Sequence, residues 1–427
     1  MKTNIIVKTL KTSILLLSLC FFTAYSQENA VRYQTTDGKY TFYFGDLHSH
    51  TIYSGDRAKG QAARRELQEG DMSIYDPKHG ELPRHAFAEA RRLGLDFFAV
   101  TDHSNVRTEK STPNQQPQNW WYENGFTEAH WQETMRDAKS AAENGKFIAI
   151  HGYEYSNNDS KNEPGHMNVF NTEKWESALP EVNNITWWLE EALPLQKANE
   201  VKVGSKMVAQ FNHAGLKQYD NYLNLVNPRS VEMNGKPGKN YNQYVRLKEV
   251  NLKRLPTWQK LLNLGWKIAP VNNSDVHGVP GIKNNLKFGV GVLATELTLE
   301  AVMDALYERR VFGVWGSPGV HLEFRVNGVI QGTEFEKRPA GNTLAVDVFA
   351  LNSKGTPVVK VEIMGGNYAP ENSENSPHQV LSTIEFGASI DRGKTTVPNT
   401  YDFYYALLYM QPDQSAAATA PIWMDNL

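Results

Sequence analysis

The sequence predicts an α/β region followed by an all-β region, and two observations carry that prediction. From about residue 40 to 317, short apolar runs alternate with helix-like stretches, the pattern of strand–helix units on a mainly parallel sheet. Beyond about residue 318 the helical periodicity stops. Alternating runs separated by turn residues take over, and a β-sandwich of roughly 110 residues is the economical reading. A length of 427 residues with 40% hydrophobic content suits two folded domains of this kind.

Five apolar runs in the first region read as strands: Phe42 to His48, Asp96 to Thr101, Phe147 to Gly152, Met207 to Phe211, and Lys267 to Val271. Between them, Arg84 to Leu93 sets Ala86, Ala88, Ala90 and Leu93 among charges, and Gln132 to Ala142 carries Met135, Ala138 and Ala142 at helical positions. Leu297 to Val311 reads as a closing helix, with Thr298 at its cap and Glu300 close behind. In the second region Leu322, Phe324 and Val326 alternate into Asn327-Gly328, a strong two-residue hairpin signal. Leu344 to Leu351, Val358 to Met364 and Tyr401 to Tyr409 follow as strands, and Pro370 to Pro377 reads as a loop.

The N-terminus has the pattern of a secretory signal. Lys2, Lys8 and Lys11 precede an apolar run, Ile14 to Phe22, too short to span a bilayer, and Ala24-Tyr25-Ser26 offers small residues at a cleavage site. Removing residues 1–26 takes three lysines away and moves the formal charge from −3 to −6. That balance argues against a nucleic-acid partner, which needs clustered positive charge. The single cysteine, Cys20, lies in the signal, where the bulky Leu19 before it disfavours a lipid anchor. A mature chain without thiols excludes disulfides, thiolate zinc sites and cysteine nucleophiles. No later stretch is apolar enough to cross a membrane. The expectation is an exported protein, periplasmic or secreted, with residues 27–317 forming the α/β domain and 318–427 the β domain.

Chemistry gathers at the strand ends. The five runs end in, or are soon followed by, Asp46-Leu47-His48-Ser49-His50, Thr101-Asp102-His103, Glu154, Asn212-His213 and Ser274-Asp275-Val276-His277. Spacing of two puts Asp46, His48 and His50 on one face of an extended strand. In α/β barrels the C-terminal strand ends converge on one mouth, and imidazoles with carboxylates are what zinc, manganese and iron accept. Recurrence at five strand ends favours a metal site over packing. His151, an odd three residues before Glu154, falls on the opposite strand face and reads as a packing or hydrogen-bonding residue. Asp46 and Asp102 suit either an outer role, accepting the free N–H of a ligand histidine, or that of a turn residue.

Gly45-Asp-Leu-His-Ser-His-Thr51, Val100-Thr-Asp-His103, Gly152-Tyr-Glu154, Asn212-His-Ala214 and Ser274-Asp-Val-His277 resemble, in order, the motifs of the PHP (polymerase and histidinol phosphatase) family. The resemblance covers about residues 40–317. It implies a distorted seven-stranded β/α barrel holding up to three divalent ions at its mouth. By that resemblance His48, His50 and Asp275 hold one metal with Glu154. Glu154 bridges to a second, held with His166 and His213, and Asp56, His103 and His277 hold the third. Asp56 departs from the family pattern, because Ser54-Gly55-Asp56 stands where many relatives have Ser-Asp-Gly.

A cluster of this kind implies hydrolysis without a protein nucleophile, with Glu154, Asp275 and His277 at the reacting centre and a phosphate ester as the substrate class. Two other readings stand beside it. Trp120-Trp121-Tyr122 and Trp187-Trp188 are able to stack on sugar rings, which makes a lyase or dehydratase on uronate oligosaccharides the alternative, although such doublets more often belong to a core. A metal-stabilised binding scaffold is the third. Arg107, Lys217, Lys239 and Lys283 are candidate anion binders or simply surface charge. The expected partner is a small or oligosaccharide anion, and the oligomeric state is left open.

Overall fold

The computed structural model describes residues 32–54, 82–104, 127–157, 165–178, 187–200, 206–212, 240–286, 289–316, 319–372 and 376–424. Residues Arg32–Leu427 belong to one compact unit; the expected signal at 1–26 lies outside the described residues. The α/β region contains β1 (Thr41–Asp46), β2 (Ser49–His50), β3 (Phe97–His103), β4 (Ile148–Asn157), β5 (Gly165–Phe170), β6 (Val208–Phe211), β7 (Val245–Glu249), β8 (Ala269–Val271), β9 (Val276–His277), β10 (Val290–Ala294) and β11 (Val311–Val314).

Most of these strands join one large sheet, with neighbours running β11-β10-β1-β3-β4-β5-β6-β7-β8. Its pairing is mixed rather than mainly parallel. β1, β3 and β4 are parallel, as are β6, β7 and β8, while β4–β5, β5–β6, β1–β10 and β10–β11 are antiparallel. For β4 and β5 connection length decides the direction: seven residues separate them, fewer than the dozen or so that a crossover to a parallel partner requires.

Beyond β8, the Asn272 amide donates to Gly289 O at 3.2 Å and its side chain to Val314 O at 2.7 Å. The last parallel strand thus returns to the β10–β11 edge. Gly289 allows that approach, since a Cβ there would overlap the Asn272 carbonyl.

Two of the helices read from apolar spacing lie close to where it put them. Pro83–Arg92 buries Ala86, Phe87 and Ala90 against Phe98 and Val100 of β3. Glu128–Ala141 begins at Thr127, whose side chain accepts from His130 N, and buries Trp131 and Ala138. The closing helix is shorter than expected: it spans Leu299–Tyr307, capped by Thr298, and β11 follows at once. Arg309 takes a left-handed conformation, φ 58°, which ends the helix and turns the chain into the sheet.

The C-terminal strands are antiparallel: β12 (Val320–Val326), β13 (Val329–Ile330), β14 (Thr343–Asn352), β15 (Lys360–Gly366), β16 (Gln379–Glu385), β17 (Ile390–Pro398), β18 (Phe403–Gln411), β19 (Gln414–Thr419) and β20 (Ile422–Trp423). β13-β12-β14-β17 form a separate sheet. The Asn327-Gly328 turn joins β12 to β13 with φ of 49° and 83°, the two left-handed residues that a tight hairpin needs. β16, β15, β18 and β19 extend the large sheet instead, through β19 pairing with β11. Strands from both sides of position 317, which itself lies outside the described residues, are hydrogen-bonded, and Trp258, Phe403, Tyr405 and Trp423 share one apolar cluster. Among the described residues no helix is long and apolar enough to cross a membrane.

Candidate metal centre

Register explains why the ligand types meet. In the β4–β5 hairpin Glu154 pairs with Asn168 and Ser156 with His166, so these four share one face. Parallel pairing sets His103 beside Glu154. β2 and β9 pair His50 with His277, and their rings stack at 4.4 Å with 13° between planes. Asp275 precedes β9 with φ 50°, a left-handed turn that brings its carboxylate to the histidines of the 48–50 segment.

Glu154, fully buried, is the hub. Its Oε1 lies 3.1 Å from His48 Nε2 and 3.1 Å from His166 Nδ1; its Oε2 lies 2.8 Å from His103 Nδ1 and 3.5 Å from His50 Nε2. Asp275 Oδ1 lies 3.1 Å from His50 Nε2, 3.4 Å from His48 Nε2 and 3.7 Å from His277 Nε2. Among the described residues, two sets of donor atoms are close enough to share an ion: His48, His50 and Asp275, and His50, His103 and Glu154.

The first set contains three of the four residues, His48, His50 and Asp275 but not Glu154, that the motif resemblance assigned to one metal. His103 lies with Glu154 and His50, and its ring centroid is 6.5 Å from that of His277, its assigned partner for a third ion. Asp56 and His213 lie outside the described residues, as do Arg107, Lys217, Lys239 and Trp120-Trp121-Tyr122.

The protons of this cluster are strongly coupled. Burial opposes ionisation of Glu154, but the charges of His166, His48 and His103 overcome it and hold the carboxyl well below its usual range. Burial likewise opposes a charged His48, and Asp275 with Glu154 holds it well above the ordinary value. Burial, together with the charges of His103 and His277, pushes His50 down to about 3. His48 Nε2 and His50 Nε2 stand 3.1 Å apart, where only one proton fits between them. A metal ion would satisfy both nitrogens and the nearby carboxylates at once, and imidazole with carboxylate is a donor set that could hold one.

Supporting side chains orient this set. Asp102 accepts from Thr51 N at 2.5 Å and from Ser54 Oγ at 2.7 Å, and Ser54 Oγ lies 2.8 Å from His50 Nδ1, so Asp102 reaches His50 through a hydroxyl. Asp46 accepts from His48 N at 3.0 Å and from Ser274 N and Oγ, clamping the two ligand-bearing turns as a turn residue, and burial pushes it up to about 7.

Glu249, which no sequence motif singled out, approaches His48 Nδ1 at 3.5 Å and is held by Arg254 at 2.6 Å. Its signal was weak: one carboxylate at the end of Val245–Glu249, a strand whose Arg246 and Lys248 keep it from reading as an apolar run. His151 faces away, its Nε2 3.0 Å from Thr172 O. Trp188 is fully buried, so this half of the second doublet belongs to the core, and Lys283 is exposed on the helix Gly278–Asn285. No protein-family model matches the chain, and no curated protein matches it.

Proposed function

We propose that this chain is an exported metal-dependent hydrolase of the PHP type, acting as a phosphoesterase. The observation that carries the reading is the convergence of His48, His50, His103 and His166 on the buried carboxylate of Glu154, with Asp275 and His277 beside them. A packing role accounts poorly for so many imidazoles around one anion, because burying ionisable groups is unfavourable unless they bind something. The finer fold belongs to this proposal too. The run β1-β3-β4-β5-β6-β7-β8 and its return at Asn272 support a distorted seven-stranded barrel, and the shared apolar cluster of Leu322, Phe324, Val346, Val348, Ile363 and Ala406 supports a C-terminal sandwich.

Divalent ions held here supply Lewis acidity, acidifying water at neutral pH and offsetting negative charge on an ester oxygen. The chain's own residues do the rest. Glu154 spans the two donor sets with its two oxygens, Ser54 and Asp102 fix the ring of His50, and Glu249 orients His48. Asp275 and His277, each with about a third of its side chain exposed, form the accessible wall. By the motif resemblance His166 and His213, the latter outside the described residues, would complete the second ion.

The test is Glu154→Gln, which keeps the volume and removes the shared anion. Metal content, measured on the purified mature protein, falls by at least one ion, and phosphate-ester turnover falls by at least the ~10-fold that loss of even an outer partner causes. Full activity in a metal-free preparation would overturn the proposal. Uronate-terminated oligosaccharides assayed in parallel separate the lyase reading, since elimination creates a product absorbing in the near ultraviolet.

A further inference from the structure

Beneath Glu154 lies a closed circuit of buried amides. Asn273 Nδ2 donates to Gln210 Oε1 at 3.1 Å, Gln210 Nε2 to Asn212 Oδ1 at 2.6 Å, and Asn212 Nδ2 to Asn168 Oδ1 at 2.8 Å. Asn168 Nδ2 then donates to Leu47 O at 3.0 Å, and Leu47 N returns to Asn273 Oδ1 at 3.1 Å. All four amide side chains are fully or almost fully buried. The second proton of Asn212 Nδ2 leaves the circuit and donates to Glu154 Oε1 at 2.8 Å.

Register builds this arrangement. Glu154 pairs with Asn168 and Asn168 with Gln210 across β4, β5 and β6, so the row lies on the face that carries the histidines.

We propose that this circuit is a polarity lock: it forces Asn212 to present its N–H, never its carbonyl, to Glu154, and so holds the hub carboxylate in the one orientation that serves both donor sets. An amide has an oxygen end and a nitrogen end of nearly equal size, so sterics alone leave Asn212 free to turn over. Each member here both donates and accepts, so the direction of every bond is dictated by its neighbours. Reversing Asn212 alone faces its oxygen against Glu154 Oε1 and Asn168 Oδ1 and its nitrogen against Gln210 Nε2, leaving three buried mismatches. Gln210 is then a positioning residue that acts on the centre through Asn212 without touching it. The inference rests on the metal-centre reading for its consequence, while the lock is a property of the chain itself.

Two measurements test it. In the metal-free wild-type protein the side-chain amide protons of Asn212, followed by nitrogen-15 NMR, exchange slowly with solvent, and rapid exchange would overturn the lock whether or not the protein binds metal. Co2+ titration then compares wild type with Gln210→Met, which fills the space without donor or acceptor, and with Asn212→Asp, which keeps the shape and removes the donor. Asn242→Ala is the control for general loosening, because this buried amide bonds Gly265 O and Lys267 N instead of the circuit. Both circuit variants lose about 10-fold or more in Co2+ affinity, with a changed visible absorption band, and the control does not. Wild-type affinity in either circuit variant while it remains folded, or an equal loss in Asn242→Ala, overturns the proposal. If Gln210→Met does not fold, Asn212→Asp carries the decision. Failure of the wild type to bind Co2+ refutes the metal centre and leaves the exchange experiment to judge the lock.

Discussion

Glu334 sits between Lys267 and Arg309, and replacing it with Gln perturbs the joint between the β8 approach and the C-terminal strands. Lys267 Nζ lies 2.5 Å from Glu334 Oε2, Arg309 Nη2 bonds Glu334 Oε1, and Arg309 also donates to Lys267 O at 3.2 Å. Burial opposes ionisation of Glu334, but the charges of Arg309 and Lys267 overcome it and hold the carboxyl at about 2, against an ordinary 4.5. Burial and nearby Arg246 lower Arg309 to about 10, still charged at neutral pH, so the ion pair is complete there.

With the folded value depressed, the stabilisation is fully present above pH 4.5 and disappears as pH falls toward 2. At about 1.4 kcal/mol for each pH unit it amounts to about 3 kcal/mol at pH 7. Removing one partner of a buried pair costs a similar ~3 kcal/mol, because two cations are left uncompensated. Spread over the unfolding entropy of a chain this size, that lowers Tm by about 4 °C. Calorimetry on wild type and Glu334→Gln at pH 7, repeated at falling pH, reads the effect directly; Lys267→Met added to the variant recovers part of it. An unchanged Tm at pH 7, or a deficit that grows as the pH falls through 4.5, refutes the reasoning.

Three further outcomes are expected. Ser54→Ala cuts the link from Asp102 to His50 and weakens divalent-metal binding by about 10-fold, measured by titration against a chromogenic chelator, with the circular dichroism spectrum unchanged. His321, packed among Tyr33, Phe42 and Phe44, is pushed by burial down to about 4. The unfolded chain therefore takes up its proton first, stability falls from pH 6.5 toward 4, and His321→Gln flattens that loss by about 2 kcal/mol at pH 5 in urea titrations. Gly328→Ala, forced to φ 83°, costs about 1 kcal/mol by urea denaturation and leaves metal binding untouched.

Much of the centre was legible because ligand chemistry is written in residue type and short spacing. His48, His50, His103, Glu154, Asp275 and His277 stood at the ends of apolar runs, and the structure brings these residues together. His166 was legible only through the motif resemblance, since β5 itself was not read as a strand. The supporting residues were harder to see. Glu249 closes a strand passed over entirely, and Gln210 lies unremarked inside the run Met207 to Phe211. In hindsight, a polar Gln210 and Asn212 two apart in an otherwise buried strand were a signal that this face looks onto something polar. The closing helix was overextended because apolar spacing runs on through Arg309, where one left-handed residue stops it.

By itself the sequence determined local facts: several of the strands and helices, the tight turn at Asn327-Gly328, and the gathering of imidazole and carboxylate residues at strand ends. These depend on side-chain type and near neighbours alone. Only the tertiary structure decided strand order and direction, the joining of β11 to β19, and the pairing of Glu154 with Asn168 and of Asn168 with Gln210. Those are set by non-local burial, where many distant apolar faces must be satisfied together. The direction of the amide circuit is decided at the same level, since no single amide has a preferred orientation until its neighbours impose one.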